Sequence, residues 1–472
     1  MAVAIRFGTS GWRGVIADEF TFANVRRAVT GVACYVSGRK PNGARVVVGR
    51  DPRFLGEMFV DVAAKILAEH GITPLVIADP APTPAIAYYV RLQQTDGAIN
   101  FTASHNPPEF SGIKFSTPDG APALPEVTHA IEAEIDKDSG QWPAASGQEK
   151  PEPAATQKID IREGYLKRLR ELVQFDVIRK AGLKVAFDPM WGAARGYSDE
   201  LLRAEGIACD TVHDQRDVLF GNHAPEPDDD LLDDLRTKMR ETGAQIGIAT
   251  DGDADRFGIV DGGGEFIAPN YVIALLFDYL VETRGWKNGV AKSVTTTNMI
   301  NALAEHHGVK LYETPVGFKF IGELIDHDAI AIGGEESAGL SIRGHVPEKD
   351  GVLAGLLCCE MVARRRAPLS AQLRRLFDTV GTFYPLRQNF RLTPEVRQKF
   401  TSKISTEPGE FFGRAVKQAV RTDGLKLVFG DGSWVCYRIS GTEPVVRIYC
   451  EARTPADLER LSEDARRWVF EA

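Results

Sequence analysis

The chain has 472 residues, of which 43% are hydrophobic, 26% charged and 9% aromatic; at roughly 150 residues per domain this is room for about three cores, and it excludes a disordered or fibrous protein. The 56 Lys and Arg against 65 Asp and Glu leave a formal charge of -9. That balance repels nucleic acid and anionic membranes, so any bound anion must be held by a local site.

The N-terminal Met-Ala-Val-Ala-Ile-Arg lacks a basic segment followed by an apolar stretch, and the greasiest runs, 271–281 and 351–359, are short or interrupted by Asp278. Neither a membrane span nor export is expected. Cys34, Cys209, Cys358, Cys359, Cys436 and Cys450 form no Cys-x-x-Cys pair, so they read as reduced thiols filling cores, in a cytoplasmic protein. Residues 44–53 (ARVVVGRDPR) read as a buried strand entering a turn, and a helix pattern follows over 58–70, the front of a βαβ unit. The same strand-then-turn grammar recurs at 183–192, 245–255 and 290–297, implying mostly parallel sheets. Helix ends of the form Ala-Glu-His-Gly71, Arg-Ala-Glu-Gly206 and Glu-His-His-Gly308 each lead into a short strand, which suggests three related α/β domains. Residues 137–158 are rich in Pro, Ser, Gln and Ala and read as a linker or exposed loop. Beyond about Arg374 the pattern changes to a hairpin over 425–439, a strand over 445–452 and an amphipathic helix over 455–470. The expected division is 1–156, 157–261 and 262–374 as α/β domains and 375–472 as a smaller, mainly antiparallel α+β domain.

Seven segments carry candidate chemistry. Thr102-Ala-Ser104-His105-Asn106-Pro107 follows the strand 97–101, at the kind of strand end where ligands gather in α/β sheets. The glycines of a Gly-x-Ser-x-Gly elbow are replaced by Thr102 and Asn106, which argues against acyl transfer; a capping Asx or Ser turn is the plain alternative. Asp251-Gly-Asp253-Ala-Asp255-Arg256 packs three carboxylates that repel one another unless a cation neutralises them, and hard oxygens suit Mg²⁺ or Ca²⁺. Arg256 and Gly262 stand where an EF-hand needs Gly and Glu, so that motif is excluded. Apolar residues on both sides favour a rigid metal site with an open position over a solvated acidic turn. Arg438-Ile-Ser440-Gly441-Thr442-Glu-Pro444, with Arg447 beyond, has the arginine forks, hydroxyls and Gly-freed N–H groups of a phosphate cradle, or else is a turn with incidental hydroxyls.

Gly333-Gly-Glu335-Glu-Ser337-Ala-Gly339 sets acids beside a hydroxyl, suited to sugar hydroxyls or equally to a helix start. His345 and Lys349, in the stretch 344–351, are able to move protons. The Gly-rich turn 7–14 carries Arg13, and Lys114 sits among apolar neighbours, where desolvation would lower its pKa toward acid/base use unless it snorkels to solvent.

The order of these motifs, Gly8-Thr-Ser-Gly-Trp-Arg-Gly14, Thr102 to Pro107, Asp251 to Arg256, Gly334-Glu-Glu-Ser337 and Arg438 to Pro444, resembles the α-D-phosphohexomutase family over nearly the whole chain. The resemblance implies three α/β domains with mixed sheets and a last domain of TATA-box-binding-protein-like fold, around a central cleft. It also implies reversible phosphoryl transfer on a hexose phosphate through phosphoserine at Ser104, with Mg²⁺ on Asp251, Asp253, Asp255 and the Ser104 phosphate, and a hexose 1,6-bisphosphate as intermediate and activator. Arg13 and Arg256 then sit at the transferring phosphoryl, and Lys114 and His105 aid proton transfer. Glu335 and Ser337 grip sugar hydroxyls, and Arg438, Ser440, Gly441, Thr442 and Arg447 hold the other phosphate. The bacterial phosphomannomutase/phosphoglucomutase type has a histidine directly after the Ser-Gly of the sugar loop, whereas Ala338-Gly-Leu340 stands here. That leaves His345 and Lys349 as candidate bases beside Lys114. The sugar loop, Val316-Gly-Phe-Lys319 and Glu348-Lys-Asp-Gly351 look more like phosphoglucomutases, which tilts the substrate toward glucose phosphates and brings Lys319 into the substrate set. Phosphomannomutase or phosphoglucosamine mutase activity is the near alternative; a metal-dependent phosphatase and a non-catalytic sugar-phosphate-binding protein are the distant ones.

Overall fold

The structure, a computed structural model, describes residues 3–8, 11–137, 153–439 and 444–471. Four sheets follow one another along the chain. The first three share one four-stranded unit. A central strand (Arg45–Arg50, Lys184–Asp188 or Gly289–Ser293) is followed by a helix and then a parallel neighbour (Thr73–Ile77, Ala208–Thr211 or Leu311–Thr314). A second helix returns the chain to the other side of the central strand as a further parallel strand, Ala98–Phe101, Ile246–Thr250 or Ile330–Glu335. This strand then turns straight back into an antiparallel partner, Phe110–Ser116, Phe257–Asp261 or Gly339–Ile342. Parallel neighbours need a crossover, which the helices supply, whereas antiparallel neighbours need only a hairpin. The three helix-ending glycines occupy equivalent places: Gly71, Gly206 and Gly308 have φ of 73°, 75° and 64°, the left-handed conformation that stops a helix before the next strand.

The first sheet carries two additions. Trp12–Val15, overlapping the segment read as a Gly-rich turn, pairs antiparallel with Phe110–Ser116 and buries Trp12 against Phe20. Gln157–Ile159, at the end of the segment read as linker, pairs parallel with Thr73–Ile77; residues 138–152 of that segment lie outside the described residues.

The last sheet is antiparallel, in the order Tyr384–Arg391, Val445–Ala452, Trp434–Ile439, Leu425–Phe429, Arg414–Val420, Glu410–Phe411. Helix Pro455–Phe470 starts where Thr454 accepts the Asp457 N–H, with proline in the first turn, and it buries Leu461, Ala465 and Val469 against this sheet. One apolar core runs continuously from Val47 and Ile86 of the first unit through Phe187 and Ile248 to Leu340 and Leu357 of the third. The last domain has its own core. Polar contacts tie it to the third unit: Lys426 Nζ donates to the Val294 carbonyl (2.8 Å), Glu451 Oε1 accepts the Asn298 N–H (2.9 Å) and Asp423 Oδ2 accepts the Val316 N–H (3.1 Å). Among the described residues no helix is long and apolar enough to cross a membrane.

Candidate active site

The repeated unit places three motifs at equivalent positions. The serine motif, the acidic motif and the end of the sugar motif each occupy the hairpin turn between the third strand of a unit and its antiparallel edge. Ser104 has a φ of 53°, a left-handed backbone that costs a residue with a Cβ on the order of 1–3 kcal/mol. It is 1% exposed, and its Oγ donates to Asp251 Oδ2 at 2.7 Å. His105 Nδ1 lies 3.4 Å from the same Oγ. The approach of the two loops requires glycine at 252, where a Cβ would lie 2.5 Å from the Ser104 carbonyl oxygen.

Asp251, Asp253 and Asp255 are fully buried, and one oxygen of each lies within 4.8 Å of the others. Lys114 Nζ donates to Asp253 Oδ2 (2.6 Å) and Asp255 Oδ2 (2.8 Å), and Lys349 Nζ donates to Asp255 Oδ2 (2.7 Å). Burial opposes ionisation of Asp255, but the two lysines outweigh it and hold its carboxyl well below the usual range. Burial and then the neighbouring Asp255 and Asp253 push Asp251 well above that range. Desolvation was expected to lower the pKa of Lys114. Burial does act in that direction, but Asp253 and Asp255 more than offset it and the pKa is raised. Lys114 is therefore a fixed cation beside the carboxylates. Behind Asp253, Thr83 Oγ1 donates to Oδ2 at 2.5 Å and itself accepts from Asn100 Nδ2 at 2.9 Å. Asp253 Oδ1 and Asp255 Oδ1 are buried without a hydrogen-bond partner; acceptors of this kind fit a hard divalent cation.

Arg13 Nη1 donates to Asn106 Oδ1 at 2.5 Å, and Arg256 Nη1 donates to Glu226 Oε1 at 2.8 Å. Burial and then the nearby Arg256 lower the Arg13 pKa. Burial, Arg256 and Arg13 hold His105 well below its usual 6.5, so its ring is neutral. Arginines gathered in this way beside a serine make an anion site. Lys114, Asp255, Lys319, Glu348 and Lys349 line one cavity beside it.

On the sugar motif, Ser337 is half-buried and Glu335 is buried, with Oε1 accepting the Gly317 N–H at 2.7 Å. Burial, and then Glu336, push the Glu335 carboxyl from its ordinary 4.5 up to about 7. Between these two values the unfolded chain releases a proton that the folded chain keeps, so this group lowers stability as pH rises through the window. The full cost above pH 7 is about 3 kcal/mol. Glu335→Gln is expected to remove that slope, so urea midpoints measured at about pH 5 and about pH 8 should lie closer together than in the wild type. Glu336, which carried no role in the sequence reading, accepts from Thr295 Oγ1 (2.7 Å), Ser293 Oγ (3.0 Å) and Thr296 Oγ1 (3.3 Å), fixing the motif to the end of the central strand.

His345 does not join the cluster. Its side chain is fully buried with Nε2 2.7 Å from Asp350 Oδ2, and the Tyr165 hydroxyl donates to the same carboxylate. Asp350 in turn caps helix Gly351–Arg365 by accepting the Leu353 N–H. The histidine, a candidate base in the sequence, is thus placed in a buried capping network.

In the last domain Arg438 and Arg447 stand directly opposite on neighbouring strands. Like charges so paired are unfavourable unless an anion accompanies them. Arg438 Nη2 pairs with Asp423 Oδ2 at 2.9 Å, the carboxylate oxygen that also accepts the Val316 N–H beside Gly317 and Lys319. Ser440, Gly441 and Thr442 lie outside the described residues.

Profiles of phosphoglucomutase/phosphomannomutase match the chain in order: α/β/α domain I at residues 4–141, domain II at 163–264, domain III at 268–380 and the C-terminal domain at 395–467. The chain belongs to this α-D-phosphohexomutase family. A phosphoglucomutase/phosphomannomutase of Thermococcus kodakarensis is 31% identical, over 95% of this chain and 94% of that protein. A phosphoglucomutase of Komagataeibacter xylinus is 30% identical over 98% and 90% of the two chains. A Pyrococcus abyssi protein named "Probable phosphoglucosamine mutase" is 30% identical over 99% and 98%. The crystal structure of a putative phosphomannomutase from Thermus thermophilus aligns at a TM-score of 0.85 with 32% identity and 100% coverage of both chains. Four sites of this phosphohexomutase went unnoticed in the sequence: Thr83 and Asn100 behind Asp253, Glu226 on Arg256, and Asp423 on Arg438. Each meets its partner only through tertiary contact, so no local pattern marks it.

Proposed function

We propose that this phosphohexomutase interconverts hexose 1-phosphates and hexose 6-phosphates, glucose phosphates foremost, through phosphorylated Ser104 and a hexose 1,6-bisphosphate. The observation that carries the reading is the Ser104 hydroxyl held 2.7 Å from Asp251 of a buried acidic triad. Asp251, Asp253, Asp255 and a phosphate oxygen on Ser104 are the groups that would hold Mg²⁺. Bound there, Mg²⁺ supplies neutralisation of charge on phosphoryl oxygens. Arg13 and Arg256 grip the same phosphoryl group and orient it in line with a sugar hydroxyl, and positioning with charge neutralisation is most of what such a transfer requires. Neutral His105 donates a hydrogen bond beside it. Lys349, which has a single carboxylate partner and lines the cavity, is the group we assign to the hydroxyl proton.

Glu335, Ser337 and Lys319 hold the sugar, while Arg438 and Arg447, with Ser440, Gly441 and Thr442, hold the phosphate that is not reacting. The bisphosphate then turns around and returns its other phosphate to Ser104. Glucose is favoured by the loops 334–339 and 316–319. The names of the relatives favour a second reading, mannose or glucosamine phosphates by the same steps. The test is an assay with Mg²⁺ and trace hexose 1,6-bisphosphate on glucose 1-phosphate, mannose 1-phosphate and glucosamine 1-phosphate, scoring 6-phosphate and free phosphate. Fastest conversion of the glucose ester without phosphate release is expected. Preference for another ester would overturn the glucose assignment, and stoichiometric release of phosphate would make the protein a phosphatase.

A further inference from the structure

Arg53 touches neither the cavity nor the acidic triad, yet its guanidinium is bound to the serine loop at four places. It follows the strand Arg45–Arg50 and is 1% exposed. Its Nε donates to Asp51 Oδ2 at 3.0 Å. Its Nη1 donates to the carbonyls of Pro107 (2.8 Å) and Phe110 (2.9 Å), and its Nη2 to those of Ser104 (2.8 Å) and Asn106 (2.6 Å). Arginine has five N–H donors, so every one is engaged, four of them on backbone carbonyls of the serine loop and the first residue of the strand that follows it. A turn between strands has carbonyls that no ladder satisfies, and here one buried side chain satisfies them.

The circuit closes on Ser104 from the other side. Thr102 Oγ1 donates to Asp51 Oδ2 at 2.6 Å and accepts the Ser104 N–H at 2.8 Å. The Phe220 ring covers the guanidinium, its centroid 4.9 Å from Cζ. Asp51 neutralises the arginine, so its charge is not directed at a ligand. Lysine cannot replace it, because an ammonium offers three donors from one point where the carbonyls need a planar fork.

We propose that Arg53, with Asp51 and Thr102, is the positioning device that clamps the serine loop so that Ser104 keeps its left-handed backbone and its aim at the acidic triad. The proposal rests on Ser104 as the phosphoryl carrier, and a displacement of about 1 Å in such a group costs roughly 10²-fold in rate.

The test uses the full chain and the variants Arg53→Lys, Thr102→Val and Thr102→Ser, with two readouts. The first is mutase kinetics together with free phosphate released per turnover. The second, which needs no activity, is amide hydrogen exchange across residues 103–110. Arg53→Lys is expected to lower kcat about 10²-fold with KM within about threefold. It is also expected to release more phosphate to water and to speed exchange in the loop alone. Thr102→Val should do the same, and Thr102→Ser, which retains the hydroxyl, should restore both. If Arg53→Lys does not fold, the Thr102 pair decides. Unchanged kcat and unchanged loop exchange in folded Arg53→Lys or Thr102→Val would overturn the proposal. So would exchange that rises uniformly across the chain, the mark of a merely structural role. A wild type without mutase activity would instead overturn the functional reading, and the exchange arm would still decide whether Arg53 clamps the loop.

Discussion

Replacing Ser104 by alanine is expected to lower kcat by at least about 10³-fold, with hexose bisphosphate binding retained. On the proposed mechanism the covalent carrier is lost, whereas the arginines, the acidic triad and the sugar motif assigned to the ligand are untouched. Stability provides a second handle. Asp251 Oδ2 accepts the Ser104 hydroxyl in a fully buried site, so its removal costs about 1–3 kcal/mol. Alanine keeps the left-handed backbone strain because it keeps the Cβ. Ser104→Gly relieves it, and should therefore melt above Ser104→Ala by an amount corresponding to roughly 1–2 kcal/mol while being equally inactive. Steady-state assays, mass spectrometry of the phosphorylated serine peptide and thermal melts check all three statements. Turnover by Ser104→Ala within about tenfold of wild type would remove the serine from the chemistry.

What the sequence disclosed follows the range over which its signals act. Ser104, the three aspartates and the glycines at 71, 206 and 308 are legible because each belongs to a contiguous stretch whose local geometry is set by a few neighbours. The last helix, Pro455–Phe470, and the strands of the last hairpin are legible for the same reason. The electrostatic state of Lys114 is not local: the carboxylates that raise its pKa lie 139 and 141 residues away. Its apolar sequence neighbours were a true observation about burial and a poor guide to charge. The surroundings of His345 are no more local, since the tyrosine that shares its Asp350 is 185 residues from that aspartate. Arg53 stands in a strand-turn stretch that reads as ordinary, and only the folded chain brings four carbonyls to its guanidinium.

The repeated unit explains why such distant segments converge. Each copy ends in the same strand and antiparallel edge, so a hairpin turn emerges at the same place on each sheet, and the shared core fixes the three sheets against one another. The serine, acidic and sugar motifs occupy these equivalent turns. The last domain, with a core of its own and polar ties to the third unit, closes the set by bringing Arg438 beside Val316 through Asp423. Rigid turns suit the phosphoryl transfer proposed above, and a separately packed last domain suits the reorientation of the ligand that the proposal requires.

Within the acidic turn the three carboxylates are not equivalent, and their removal is expected to separate stability from metal binding. Asp255 Oδ2 accepts from both Lys114 and Lys349 in a fully buried position. Asp255→Asn leaves Lys349 without its carboxylate, and breaking a buried pair from one side costs about 3–5 kcal/mol. Asp251 is held instead by the Arg256 backbone N–H on Oδ1 and the Ser104 hydroxyl on Oδ2; an asparagine keeps the first on its carbonyl oxygen, and its amide N–H₂ can donate to the Ser104 oxygen. Asp251→Asn also removes a carboxyl whose ionisation burial, Asp255 and Asp253 oppose, so the metal-free protein is expected to be as stable as wild type or more so. Mg²⁺ should place wild type above both variants. At a concentration of about 100 Kd a ligand that binds only the folded state adds about 2.7 kcal/mol, and both variants should lose most of that increment along with at least about 10²-fold in kcat. Urea unfolding with and without Mg²⁺ resolves the two contributions. Equal destabilisation of the two variants without metal would mean that the lysines do not distinguish Asp255 from Asp251. An undiminished Mg²⁺ increment in either would place the ion elsewhere, because a metal held by these carboxylates must lose affinity when one becomes an amide.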